Sequence, residues 1–314
     1  MSGEGHVLQS LHLTLTLKCT DGDIAFWVGD AVKRGLMELK ISSVLRRIMP
    51  KSVYTCEILV VMNLFGVTLD VPELVCLRSL KALSLKYSAF HHDSCLLRLL
   101  ANCPVLEDLF IEAMFYKIVL ILKIAGPSLK RFSWVNINPH SRNTGLVLDA
   151  PSLNYLRIVD SLRSFSFTDS INIPEVVEAD LEVKLKRPEK ILHSLASVER
   201  LRLCLSASEV VNPVGCFFRR LKRLEVCTCK SLWLDLFMHL LRDSPSLKAI
   251  KIKQCRHPVK HPRPCWNQPG SVPTFCLKKA RFTARSSDPV KKLRMLQELS
   301  LSPRVSSMCE IVFN

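Results

Sequence analysis

The sequence predicts an α/β leucine-rich-repeat solenoid, with parallel strands on a concave face, irregular or helical returns, and a distinct C-terminal cap. Two observations carry this expectation. The first is a motif of the form Leu-x-x-Leu-x-Leu, with Ile, Val, Phe or Trp as substitutes, at Leu36/Leu39/Ile41, Leu80/Leu83/Leu85, Leu106/Leu109/Ile111, Leu129/Phe132/Trp134, Leu153/Leu156/Ile158, Val198/Leu201/Leu203, Leu221/Leu224/Val226 and Leu247/Ile250/Ile252. Weaker copies are read at Leu59/Val61 and Leu181/Val183, which makes the step between middle residues 20 to 26. The second is punctuation: Gly126-Pro127, Ala150-Pro151 and Ser244-Pro245 each stand just ahead of a copy, where proline ends the preceding element and turns the chain.

A strand alternates its side chains, so the second and third apolar residues of each copy share a face. One turn cannot bury that face, whereas stacked turns make a continuous apolar spine. Along the chain, Leu11–Leu17 reads as a first strand. Helical returns are expected at Cys95–Leu100 and Leu232–Leu241, where apolar residues at spacings of three and four precede a proline. After Ile252 the period is expected to fail, the proline-rich stretch from Gln254 to Pro273 reading as a constrained loop. Ala280–Phe282 and Cys309–Phe313 read as strands, the last closing the end of the stack.

Composition narrows the function classes. Of the 314 residues, 48% are hydrophobic, far above what disordered chains carry. The longest uncharged apolar run, Ile58–Leu69, is shorter than the roughly 18 residues of a membrane span, so no membrane partner is expected. The start of the chain lacks the basic region and cleavage site of a secretory signal. That absence, with an odd count of 13 cysteines, points to reduced thiols and a cytoplasmic or nuclear protein. Cys56, Cys103, Cys204 and Cys227 stand beside ladder positions, where a free thiol packs as a small hydrophobe. The net charge of +16 belongs to one half: residues 1–183 hold 18 Lys and Arg against 19 Asp and Glu, and residues 184–314 hold 26 against 9. Such a one-sided field steers acidic partners.

Two stretches carry a family resemblance. Leu96–Ile111, with Asn102-Cys103-Pro104-Val105-Leu106-Glu107-Asp108-Leu109, and Ala150-Pro151-Ser152-Leu153 resemble the repeats of plant F-box/FBD/leucine-rich-repeat proteins. Phe218–Val226, Leu240–Leu247, Cys265-Trp266-Asn267-Gln268-Pro269-Gly270-Ser271-Val272-Pro273 and the tail from Leu301 to Phe313 are similar to the FBD domain that ends many of them. The resemblance implies two regions, leucine-rich repeats over 1–215 and an FBD-like cap over 216–314. It also implies the substrate-receptor half of a cullin-RING (SCF-type) ubiquitin ligase, with a protein substrate and no enzyme activity of its own. The ladder begins near Leu11, which leaves no room for an N-terminal F-box, so docking of the ligase adaptor is not implied by these residues.

The residues themselves offer little chemistry. With 10 glycines and no phosphate-loop, dinucleotide or nucleophile-elbow pattern, neither catalysis nor a cofactor is expected. Cys255, His257, His261 and Cys265 have zinc-compatible types, but prolines stiffen the run and the spacing is not that of a paired knuckle, so a solvated basic loop is the preferred reading and no metal is expected. Trp266 reads as a cap anchor, and Phe132 and Trp134 as core. Binding is expected on outward strand positions: Arg200, Arg202, Arg223, Glu225, Lys251 and Lys253 late in the chain, and Asp108, Glu112, Asp180 and Glu182 earlier. The basic members form an expected stripe for an acidic or phosphorylated protein segment. The alternative is polyanion or nucleic-acid binding through the basic half. The aromatics needed for base stacking mostly occupy the ladder, so nucleic acid is not the expected partner.

Overall fold

The computed structural model describes residues 7–92, 94–113, 121–136, 144–185, 188–204, 217–227, 240–253, 279–283 and 310–313. The chain forms two compact units. Residues 1–157 and 168–173 make the first; residues 158–167 and 174–314 make the second. The strands in chain order are β1 (Ser10–Leu15), β2 (Glu38–Ile48), β3 (Val61–Leu69), β4 (Ala82–Lys86), β5 (Ala89–Phe90), β6 (Asp108–Ala113), β7 (Ile121–Ala125), β8 (Arg131–Asn136), β9 (Thr144–Asp149), β10 (Tyr155–Asn172), β11 (Glu178–Leu185), β12 (Arg200–Cys204), β13 (Arg223–Cys227), β14 (Ala249–Lys253), β15 (Lys279–Thr283) and β16 (Glu310–Phe313).

In the first unit β1, β2, β3, β4, β6 and β8 pair in that order, each parallel to the next. In the second unit β11 to β16 pair successively, also parallel. The architecture is a parallel-strand solenoid of the leucine-rich-repeat type. Leu39, Met62, Leu83, Leu109 and Phe132 stand side by side in register and are all buried, as are Ala179, Leu201, Leu224 and Ile250. The expected core rows are therefore present, with Phe132 and Trp134 inside them.

The register corrects the two weak copies. Leu39 is opposite Met62 and Ile41 opposite Leu64, so the inward pair of β3 is Met62/Leu64, with Leu59 as the leading residue. Similarly Ala179 and Leu181 are opposite Leu201 and Leu203, so Leu181 is the last inward residue of its motif, not the middle one. Met62 and Ala179 stand at the middle position in place of a branched aliphatic, which obscures the period in the sequence. The strands expected at Ala280–Phe282 and Cys309–Phe313 are present as β15 and β16. Ile250 pairs with Ala280, and Ala280 with Ile311, so the ladder runs on past Ile252 with two further rungs spaced more widely. The proline-rich stretch, Trp266 and the Cys255, His257, His261, Cys265 cluster lie outside the described residues, as does most of Leu232–Leu241.

The corners repeat one hydrogen-bond device. In eight motifs the leading residue donates its N–H to the carbonyl three residues earlier: Leu59 to Cys56, Leu80 to Leu77, Leu106 to Cys103, Leu129 to Gly126, Leu153 to Ala150, Val198 to Leu195, Leu221 to Phe218 and Leu247 to Ser244. These are β-turns, and Pro104, Pro127, Pro151 and Pro245 occupy the second position, where a fixed φ is preorganised. The next two N–H groups then share a carbonyl of the neighbouring rung. Lys81 and Ala82 donate to Val60, Glu107 and Asp108 to Lys81, Lys130 and Arg131 to Glu107, and Lys222 and Arg223 to Glu199. This satisfies the backbone where each strand starts.

The returns are of two kinds. Helices α1 (Asp21–Lys33), α2 (Ser94–Ala101) and α3 (Pro188–Ser194) form some of them, of which only α2 matches a helix expected above. In α1, Ile24, Val28 and Ala31 are buried, and Thr20 caps the start: its hydroxyl accepts from Asp23 N–H, and Asp23 Oδ2 accepts from Thr20 N–H at 2.9 Å. Such a cap contributes about 1 kcal/mol. Other returns are strands rather than irregular segments. β3 pairs β5 through Thr68↔Ala89 and Leu69↔Phe90, and β7 pairs β9 through Ile121↔Gly145 to Ala125↔Asp149. Leu122, Ile124, Leu146 and Leu148 are buried there. None of the helices among the described residues is long and apolar enough to cross a membrane.

Candidate interaction surface

Alternation along the strands leaves one row of side chains outside the core on every rung. In the second unit these are Glu178, Asp180 and Glu182 on β11, Arg200 and Arg202 on β12, Arg223 and Glu225 on β13, and Lys251 on β14. The register sets Asp180 beside Arg202, Arg202 beside Glu225, and Glu225 beside Lys251. Their charges meet. Arg202 Nη1 lies 3.2 Å from Asp180 Oδ2 and its Nε 3.3 Å from Glu225 Oε1, while Lys251 Nζ lies 3.0 Å from Glu225 Oε2. Arg200 pairs with Glu178 at 2.9 Å. At the strand starts Glu199 takes both Lys222, at 2.9 Å, and Arg220, at 3.2 Å. The hydrogen bond from Lys222 holds the Glu199 carboxyl below its usual range, with Arg220 adding to the effect. This stabilising contact is present at neutral pH and is lost as pH falls through the acid range.

The predicted late residues are thus brought together, but as an alternating ladder rather than a uniformly basic stripe. Four of its charges, Asp180, Arg202, Glu225 and Lys251, cancel. Arg223 is exposed and makes no ion pair with a described residue. Lys253 ends β14 opposite Cys227. A double-mutant cycle on Arg202→Met and Glu225→Gln should return a coupling of about 0.5–1 kcal/mol, because both side chains are partly solvated. A coupling that does not shrink when salt is raised would contradict this reading.

The first unit presents a different face. Asp108 pairs with Arg131 at 3.5 Å, and burial raises its carboxyl pKa against the pull of that guanidinium. The Glu112 carboxylate beside the Tyr87 hydroxyl raises the phenol's pKa. Around these two predicted residues lie aromatics that sequence reasoning passed over. The Phe65 and Tyr87 rings meet edge to face at 5.0 Å, Lys86 Nζ lies 5.1 Å from the Phe110 ring centre, and Arg131 lies 4.4 Å from that of Tyr155. Phe65 is 40% exposed. Alternation places Phe65 and Phe110 outward, so the signal was present; Tyr87 was not accessible to that rule, since its φ of 52 leaves the strand and such a conformation is uncommon outside glycine. Between the aromatics β4 places Ala82 and Ser84 outward together with the exposed Lys86, which stands opposite Phe65.

The cysteines need one correction. Cys56 and Cys103 are buried thiols, as expected, and donate to the carbonyls of Leu36 and Leu99. Burial pushes the Cys103 thiol up to about 12. Cys204 and Cys227, in contrast, are joined to each other as a disulfide with 5.0 Å between their Cα atoms. They are not free packing thiols. Each follows the last inward residue of its strand, so alternation turns both to the outward side, in the row that continues Glu182.

Comparison with known proteins accounts for this architecture. A sequence model of the LRR repeats of FBD-associated F-box protein At5g56370 matches residues 24–181. The chain is 53% identical to the FBD-associated F-box protein At5g56380 of Arabidopsis thaliana, with 100% of this chain and 83% of that protein aligned. The chain belongs to the F-box/FBD/LRR-repeat family. Two further Arabidopsis thaliana members of this plant family are similar to it along its length. The probable FBD-associated F-box protein At1g32375 is 35% identical, covering 99% of this chain and 84% of its own, and the F-box/FBD/LRR-repeat protein At4g26340 is 33% identical, covering 100% and 84%. The repeats of this family member are the rungs described above, and a role in protein interaction follows from membership.

Proposed function

We propose that the protein is a non-enzymatic substrate receptor that recognises a protein segment on the outward side of its strands and serves a cullin-RING (SCF-type) ubiquitin ligase. The observation that carries this reading is the ladder of parallel rungs, whose outward row differs between the two units while the inward row stays uniformly apolar. Apolar rows build the scaffold; the outward rows are free to vary and so to encode a partner. In the second unit most outward charges already have partners, which argues against a bare cationic strip for nucleic acid. In the first unit, Lys40 and Lys86 are exposed with no ion pair to a described residue, and between them stand Asn63 and the exposed Phe65. That combination suits an extended protein segment carrying an acidic group beside an apolar one. The FBD-like region from residue 216 is read as continuing and capping the stack.

Affinity capture with the tagged chain, followed by mass spectrometry at low and high salt, tests both parts of the proposal. Recovery of a protein partner together with ligase adaptor and cullin subunits is the expected result. A partner recovered without these subunits would remove the ligase role and leave recognition. Recovery of nucleic acid alone, lost steeply as salt rises, would replace the proposal with polyanion binding.

A further inference from the structure

Seven of the thirteen cysteines are described, and their environments separate them. Cys56 and Cys103 point into the core, are bonded to backbone carbonyls and are held protonated by burial, so their chemistry is suppressed. Cys204 and Cys227 sit one repeat apart, 23 residues, on consecutive parallel strands. The register that sets Leu201 beside Leu224 and Leu203 beside Val226 brings these two side by side as well. They form a small buried cluster of their own, on the side of the strands away from the apolar rows. Their Cα separation of 5.0 Å lies within the range that a disulfide spans without backbone movement. The ladder supplies this geometry from its backbone pairing, so it does not depend on the sulfurs being joined.

We propose that Cys204 and Cys227 are a reversible redox staple, which closes between two successive rungs when a glutathione-type disulfide oxidises the pair and opens when a thiol reduces it. In closing, one cysteine thiolate attacks the disulfide, forming a mixed disulfide and releasing one reduced glutathione. The second thiolate then displaces the other glutathione, so the protein loses two protons and two electrons while one glutathione disulfide becomes two thiols. Closure ties off the stretch from 204 to 227 next to the Arg202–Glu225 ion pair, and holds β12 against β13 independently of their hydrogen bonds. Opening leaves β12 and β13 held to each other by β-pairing, apolar packing and that ion pair. The staple therefore sets how firmly the rungs of the alternating charge ladder are fixed to one another.

The test uses the purified full chain equilibrated in reduced or oxidised glutathione buffer, then quenched by alkylation and digested for mass spectrometry. The expected result is a linked peptide pair containing Cys204 and Cys227 in the oxidised sample, converted to two alkylated peptides in the reduced sample. In parallel, the thermal midpoint of the wild-type chain should rise by roughly 6–12 °C on oxidation, and that of Cys204→Ser/Cys227→Ser should not. Both cysteines fully alkylated in the oxidised buffer, or either one linked instead to another cysteine such as Cys229, would overturn the proposal. Since the mass measurement uses the wild-type chain, failure of the double variant to fold would not obscure the answer.

Discussion

Phe132→Ala is expected to destabilise the protein by about 3–5 kcal/mol, the range for truncating a large aromatic in a packed interior. Phe132 is fully buried in β8, where it continues the row from Leu109, and it shares its strand's inward side with Trp134. Removing the ring leaves a void that neighbouring rungs cannot fill without shifting register, because each rung is tied to the next by backbone hydrogen bonds at its start. In a stack each rung is stabilised chiefly by its neighbours, so the loss should extend beyond β8. Equilibrium denaturation followed by tryptophan emission reports on it. A change under about 1 kcal/mol would mean that the row is not a close-packed core.

Gly66→Ala should cost about 2–4 kcal/mol, from two causes acting at one position. Gly66 has a φ of +69, which side chains rarely adopt, and a Cβ built there collides with the Ser43 carbonyl oxygen. This is where the pairing of β2 and β3 shifts register between Ser42 and Arg47. The shift pushes Val44 and Leu45 outward and brings the two backbones together, which only glycine permits. Gly29→Ala is the control. No atom lies within 4 Å of a Cβ at that position, inside α1, so alanine should leave stability unchanged or raise it by up to about 1 kcal/mol. Equal losses for the two variants, measured by the same denaturation, would contradict this account of Gly66.

Both substitutions depend on features with different legibility. Phe132 was assignable as core from its place in Leu129-x-x-Phe132-x-Trp134, since an apolar residue at that spacing recurs too often to be chance. Nothing around Gly66 announced a register shift: a lone glycine between Phe65 and Val67 reads equally as a weakened strand. The helix α1 falls between these cases. Thr20, Asp23 and the spacing of Ile24, Val28 and Ala31 are a helix signature, but one that lies outside the strand motif that marks the rungs.

The expected binding residues show the same division. Alternation along β12, β13 and β14 correctly assigns Arg200, Arg202, Arg223, Glu225 and Lys251 to the outward side, because side-chain direction in a strand is a local property. Whether their charges act on a partner or on one another is not local. It depends on which residues the neighbouring rungs place beside them, and Asp180, Arg202, Glu225 and Lys251 neutralise in sequence only because the register aligns them. Counting 26 basic against 9 acidic residues after position 183 could not reveal that.

The periodic apolar code was sufficient for the kind of fold, the direction of the inward rows and the positions of the corners, since each follows from a few adjacent residues and their covalent geometry. Register required the folded chain, since it emerges from competition among many rungs for the same pairing edge. From register come the inward roles of Met62 and Ala179, the meeting of Cys204 with Cys227, and the exchange of a cationic stripe for an alternating ladder. Contacts between residues 20 to 30 positions apart are settled by packing, and a string of letters does not contain packing.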